Sequence, residues 1–431
     1  MDYTTKLTYL IINAVMYVLL LFIYQEKKRR IDIGTFILCA WVVGSIGSVW
    51  YYTQPWTPPS YPNITIWPLI YIFLLNLIMF FPFLRYNYSR IHRVETFKLD
   101  KIFKSISIIF GLCSILPLLN LLYDMTYISL AGSFLANMYG ADENKADLLF
   151  LPLIKPFFSV IRHFPDFVVF LLFYNLTKKN ANKLVVSGLT SAITVQFLFT
   201  MLSGSRGGIL TLVVRIIFYA FFMRSMIPHH TFRKFIKVSV TGLVFIIIGV
   251  SLISISRHDS YHKRGTRNQD MSTWISQYMG EGMIRFDDTV WYNETPLGGC
   301  QTLPVAFSLF DPTAKDTDKY IARNERISKD ILTVFYTYIG DFYLDFGRVG
   351  AVFAIIILSI ATGGLLKARH KSISIFRLIP LCWIFILITI GITADVFRTY
   401  YTQLPILEEG IFIVLLYFIK LKINYLSFAS M

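Results

Sequence analysis

Ser203, Gly204, Ser205, Arg206, Gly207 and Gly208 set one arginine among small residues, directly ahead of an apolar run. Small side chains let backbone amides converge, and a helix starting near Gly207 turns its positive end to the same spot. With the Arg206 guanidinium as a bidentate donor, this is the chemistry of a diphosphate cradle. The alternative is a tight glycine turn whose arginine snorkels to lipid head groups. The spacing matches neither a Walker A loop nor a dinucleotide fingerprint. Lys155, Arg162, His163 and Asp166 form a second charged group inside an otherwise apolar run. Arg162 and Asp166, four apart, either neutralise one another on a helix face or leave Arg162 as a further ligand for an anion.

Carboxylates come next. In the run from Gly340 to Gly350, Asp341 and Asp345 are four apart, so a helix reaching back into this segment stacks them on one face. Either is a candidate to take a proton from a hydroxyl. His258 and His262 are also four apart, around Asp259, but no further ligands accompany them, so a solvated loop is the expectation and no metal site is assigned. Trp274, Tyr278, Trp291 and Tyr292 surround Arg285, Asp287, Asp288 and Glu294. Aromatic faces beside carboxylates suit a sugar ring, and suit an interfacial belt equally. Asp395 and Arg398 follow one apolar run, and Glu408 and Glu409 open the next, where pairing with Arg398 is the simplest role for a glutamate.

The elements that must position these groups are membrane spans. Of 431 residues, 55% are apolar and only 16% charged, and the mean hydropathy is +0.56. Such a composition excludes a soluble globular domain, and the long uncharged runs exclude both a β-barrel and a lipid-anchored protein. About eleven spans are expected, at 7–24, 33–52, 64–83, 103–123, 157–175, 184–202, 207–223, 238–255, 346–366, 378–394 and 406–417. The first lacks a basic leader and a cleavage motif, so it is expected to be retained. The four cysteines have no metal-ligand spacing and imply no disulfide framework.

Lysine and arginine then sort the loops. The net charge of +15 gathers in Lys27 to Arg30, Arg85 to Lys104, Lys178 to Lys183, Arg224 to Lys237, Lys367 to Arg377 and the tail at Lys420 and Lys422. All lie on one side, which is cytoplasmic by the positive-inside rule, with the amino terminus outside and the carboxyl terminus inside. The charge is therefore topogenic, and no nucleic-acid partner is expected. One transmembrane domain of residues 1–431 is anticipated, with outer loops at 124–156 and 256–345. The second of these is large enough to carry function. No internal repeat is visible.

The Ser205-Arg206-Gly207-Gly208 run at the outer end of a span, a long outer loop, and Tyr343-Leu344-Asp345-Phe346-Gly347-x-x-Gly350 entering the next span together resemble the Wzy-type O-antigen and oligosaccharide repeat-unit polymerases. The resemblance implies an all-α, polytopic, glycosyltransferase-C-like fold in the bacterial cytoplasmic membrane. It implies transfer of a growing glycan from undecaprenyl diphosphate to a sugar hydroxyl of a newly flipped, lipid-linked repeat unit. Arg206 is then the first choice for the leaving diphosphate, followed by Arg162, with Arg285 and Arg398 behind. Asp341, Asp345 and His258 are the candidates for the base, and the long loop recognises sugars. No cofactor is called for. Partners implied by the family are the lipid-linked oligosaccharide, the bilayer, a chain-length regulator and a flippase. Two other activities remain open: an O-antigen ligase acting on lipid A core, and, of a different class, a flippase or transporter of lipid-linked oligosaccharide.

Overall fold

The apolar runs fold as helices. A computed structural model describes residues 2–55, 57–96, 98–130, 151–203, 205–239, 241–242, 244, 251, 271–293, 295–315, 336–368, 371–393 and 395–429. The helices used below are α1 (Tyr3–Lys28), α2 (Ile33–Tyr52), α3 (Ile66–Arg85), α4 (Asp100–Leu130), α5 (Lys155–Arg162) and α6 (Pro165–Leu176). They continue with α7 (Lys183–Leu202), α8 (Arg206–Phe222), α9 (Met271–Asp288), α10 (Thr337–Leu366), α11 (Ile375–Ile390) and α12 (Tyr400–Ala429). Two three-residue strands, β1 (Arg93–Glu95) and β2 (Ser372–Ser374), pair in parallel.

Local chemistry sets several boundaries. The Asp2 side chain caps α1, which ends at Arg29 in a left-handed conformation after Lys27 and Lys28 favour its negative end. Asp32 and Thr35 form a reciprocal capping box at the start of α2.

Six helices among the described residues are long and apolar enough to cross a membrane: α1, α2, α3, α4, α7 and α10. A seventh span arises if α5 and α6, bent by 73° at their junction, count together. On α10, Val349, Phe353, Ile357 and Ile360 are exposed at helical spacing, an apolar stripe that fits lipid and not water. This is an α-helical membrane protein.

Several expected spans take other forms. The one expected at 157–175 is broken, because Pro165 has no N–H to continue a helix and disfavours helical geometry at Phe164. The span expected from Phe346 starts nine residues earlier, at Thr337. The stretch expected at 406–417 lies within the longer α12. Most of 238–255 lies outside the described residues.

The chain divides into two compact units. The first comprises Met1–Asn87, Gln269–Lys367 and Trp383–Leu404. Within it, α9, drawn from the expected outer loop 256–345, packs along α2 so closely that a Cβ on Gly280 would stand 2.2 Å from the Gly47 backbone. Close backbone approach through glycine is the usual way for helices to associate where no hydrophobic force separates lipid from protein. Asn76 joins three helices of this unit, donating to Tyr17 at 2.8 Å and accepting from Tyr338 at 2.9 Å. Trp41 donates its indole N–H to the Ile388 carbonyl at 2.8 Å.

The second unit comprises Tyr88–Asn268, Ala368–Cys382 and Pro405–Met431. At its centre is α6, in which every residue from Asp166 to Asn175 is buried, as suits a helix that is apolar all round. Rings from Phe103, Phe412 and Tyr219 pack against its Phe167 and Phe170. Gly111 and Gly188 let α4 and α7 cross in near-backbone contact.

Candidate functional site

In the first unit, α10 contains both aspartates of the Gly340–Gly350 segment. The helix is interrupted at Gly347, whose φ of 71° and ψ of 178° suit glycine almost alone. The interruption leaves carbonyls without helical partners. Leu344 and Asp345 accept from the amides of Leu297 and Gly298, both at 2.9 Å. The Asp345 carboxylate completes this attachment, taking Gln301 N–H at 3.1 Å on one oxygen and Thr302 N–H at 2.6 Å on the other. Both oxygens of Asp345 are therefore engaged in holding residues 297–302 against the helix.

Asp341, one turn earlier, is fully buried and differently supplied. Its Oδ2 accepts the Asp395 backbone N–H at 2.8 Å, and its Oδ1 has no hydrogen-bond partner among the described residues. Such an orphaned oxygen is expensive to bury. The Asp395 side chain turns back to the Phe397 N–H at 2.7 Å. Burial pushes the Asp395 carboxyl up to about 7, against the opposing pull of that N–H and of Arg398. The Arg398 guanidinium stands 5.6 Å from the Tyr336 ring centre, within electrostatic reach of both Asp341 and Asp395. Thr337, at the start of the helix, is held at φ 34°. Two acids, an arginine and an unsatisfied carboxylate oxygen thus meet where a membrane-length helix begins.

An aromatic cluster lies in the same unit. Trp291 packs on Tyr343, Tyr71 and Phe286, with the Arg348 guanidinium 3.9 Å above its ring. Tyr292 is exposed and donates to the Asn63 carbonyl at 3.2 Å, and Tyr278 is half-buried. Arg285 is occupied by Glu281, four residues back on α9, through Nε at 2.7 Å. Gln277 and Tyr61 also donate to Glu281, at 3.0 and 3.1 Å. Burial raises both Asp287 and Asp288 above the usual carboxylate range, while the backbone amides of Thr65 and Asn63 hold them.

In the second unit, the group at Lys155 to Asp166 straddles the break between α5 and α6. Asp166 does not neutralise Arg162. It forms a two-point ion pair with Arg215 of α8, at 2.6 and 3.0 Å, and also accepts from the Cys382 thiol. Arg162 is exposed, with its guanidinium 5.8 Å from the Phe199 ring centre. Glu409 accepts the first amides of α6, from Asp166 at 2.8 Å and Phe167 at 3.0 Å, while Glu408 bonds the His163 ring. Both glutamates thus serve the helix break.

The expected helix start near Gly207 is present. Ser205 caps α8 by accepting the Gly208 N–H at 3.2 Å, and space is open around Gly207, where an added Cβ would meet nothing within 4 Å. The Arg206 backbone begins this helix. The side chains of Arg206 and Trp274, and the whole of Gly204, Glu294, His258 and His262, lie outside the described residues. Among the described residues no group of His, Cys, Asp and Glu has the arrangement of a metal site.

Sequence reasoning overlooked Arg215 and Glu281. The signal was present for Arg215, since an arginine within an apolar run needs a buried partner. Comparison with family models, curated proteins and solved structures finds no match to this chain.

Proposed function

We propose that this membrane protein polymerises oligosaccharide repeat units carried on undecaprenyl diphosphate. The observation that carries the proposal is the Asp341 carboxylate, fully buried with one oxygen lacking a partner among the described residues, within electrostatic reach of Asp395 and Arg398. A base of this kind takes the proton of a sugar hydroxyl as that oxygen attacks the anomeric carbon of the donor. The bond from that carbon to the diphosphate oxygen breaks, and the leaving diphosphate keeps the electron pair. Cations and helix amides stabilise its developing charge. Arg398 supplies a cation in the same unit as Asp341, and the exposed Tyr292 ring, next to Trp291 in the chain, supplies a face for a sugar ring, the Trp291 ring being covered by Tyr343 and Arg348. Asp345 and Arg285 serve structural roles, since their side chains are already committed. Arg206, with Arg162 behind it, remains the proposed diphosphate ligand of the second unit, favoured by the open helix start at Gly207.

With this activity go the finer statements of topology and setting. They are about eleven spans in a glycosyltransferase-C-like arrangement, residence in the bacterial cytoplasmic membrane, and chemistry on its outer face. A chain-length regulator and a flippase act as partners. A transporter of lipid-linked oligosaccharide is the second proposal, favoured by the buried Asp166–Arg215 pair, a type of group common along membrane transport paths.

A deletion strain tests these readings. Surface polysaccharide and the lipid-linked pool are compared with those of strains restored by the native chain, by Asp341→Asn or by Arg206→Ala. Polymerase activity predicts loss of the long-chain ladder with single repeats still transferred. A ligase predicts long chains accumulating on the lipid carrier, and a transporter predicts single units trapped on the cytoplasmic face.

A further inference from the structure

The second unit contains a cavity of about 730 Å³, lined among others by His92, Arg93, Glu95, Asp100, Tyr174 and Lys178. Its volume is within the usual range of small-molecule sites. We propose that it binds a phosphate-bearing ligand, held by Lys178, Arg93 and His92.

The balance of donors and acceptors around the cavity supports an anion. The two carboxylates are already used by the protein: Glu95 accepts the Ser372 hydroxyl, and Asp100 accepts the hydroxyls of Tyr174 and Thr96. The cations are less committed, although Lys178 feels the attraction of the Asp100 carboxylate as well as the repulsion of Lys104. Neither Lys178 nor Arg93 has a carboxylate within ion-pair distance among the described residues, and the His92 ring has no hydrogen-bond partner there. Lys178 instead rests its ammonium 4.4 Å from the Tyr174 ring centre, and burial pulls it below the ordinary lysine range. A desolvated ammonium gains more from an anion than an exposed one does. A guanidinium fork, an ammonium and an imidazole together match the several oxygens of a phosphate better than the two of a carboxylate.

The wall that carries two of these donors is built for rigidity. Arg93 lies opposite Ser372 in the β1–β2 pair, and the His92 amide donates to the Lys371 carbonyl at 2.8 Å. Arg93 and Glu95, two apart on a strand, share a face, while Val94 between them is buried. In a helical protein this short sheet has the effect of fixing one side of the cavity. The flanking segments carry the basic residues that mark the expected cytoplasmic side, and the named lining residues all belong to the second unit. The ligand's phosphate belongs either to a phospholipid head group or to a soluble phosphorylated compound.

The experiment uses the purified full-length chain. Native mass spectrometry counts retained phosphatidylglycerol, and calorimetry measures binding of glycerol 3-phosphate. The native chain is expected to hold one of the two. The Lys178→Gln/Arg93→Gln double variant is expected to bind it at least tenfold more weakly, and Lys179→Gln, at the exposed neighbouring position, as well as the native chain does. The single Arg93→Gln variant, at an exposed position, covers the case in which the double variant misfolds, and is expected to lose about threefold. Retention of the lipid identifies a head-group site, and binding of glycerol 3-phosphate a soluble ligand. The proposal is overturned if neither probe binds the native chain, if the substituted chains bind as it does, or if Lys179→Gln weakens binding equally.

Discussion

Asp341 accepts the backbone N–H of Asp395 at 2.8 Å through one oxygen and leaves the other without a partner among the described residues. Asp345, one turn along the same helix, has both oxygens filled by the amides of Gln301 and Thr302. Two acids that look equivalent in sequence are thus in different chemical situations, and their substitutions are expected to fail differently. Asp341→Asn keeps an acceptor for Asp395 and should preserve the fold while abolishing polymer formation. Asp345→Asn loses one amide acceptor and should cost about 1–3 kcal/mol of stability. Thermal unfolding of the purified variants, set beside polymer yield in cells, separates the two.

The spans most legible in the sequence are those whose apolar runs are uninterrupted. The run at 33–52 folds with those same bounds as α2, and 184–202 differs from α7 by one residue. A helix reaching back over Asp341 and Asp345 was open to the sequence, but the break at Gly347 and the burial partners of the two acids, in 297–302 and at Asp395, were not, because those partners are distant in sequence. The break at Pro165 had a local signal, but the glutamates that hold it come from about 240 residues away, a separation no local pattern encodes. For the candidate site, residue types were legible and their assignments were not. Whether Arg285 is free depends on Glu281, and whether Asp166 meets Arg162 depends on Arg215.

Asp395 makes stability depend on pH. Its folded value of about 7 is above the ordinary aspartate value of 3.8 because burial disfavours the charge. The native chain therefore holds this proton to higher pH than the unfolded chain does. The stabilising contribution is complete below about pH 4 and is lost as pH rises through 7. Melting temperatures should fall between pH 5.5 and about 8, and Asp395→Asn should flatten that fall. An equally steep fall in the variant would assign the dependence to other groups.

The Asp166–Arg215 pair is buried on both sides. Arg215→Met leaves Asp166 with an uncompensated charge and should destabilise the protein by about 3–5 kcal/mol. Asp166→Leu combined with Arg215→Met removes both charges and should recover much of that loss. Unfolding of the three variants in one detergent measures the difference.

Gly280 sits where α9 meets α2. An alanine Cβ there would lie 2.2 Å from the Gly47 and Ser48 backbone, which cannot rotate away. Gly280→Ala should cost about 1–3 kcal/mol or more through forced separation of the helices, seen as lower melting temperature and lower yield of monodisperse protein. Gly207→Ala, with open space around it, should be tolerated by the same assays.

The central claim is glycan transfer from a lipid diphosphate, with Asp341 as base. Its most direct test is reconstitution of the purified chain in liposomes with undecaprenyl-diphosphate-linked single repeat units as the only glycan. The account predicts a ladder of longer lipid-linked chains and release of undecaprenyl diphosphate with the native protein, and neither product with folded Asp341→Asn. Repeat units that cross the bilayer unpolymerised, or a ladder undiminished in Asp341→Asn, would contradict it.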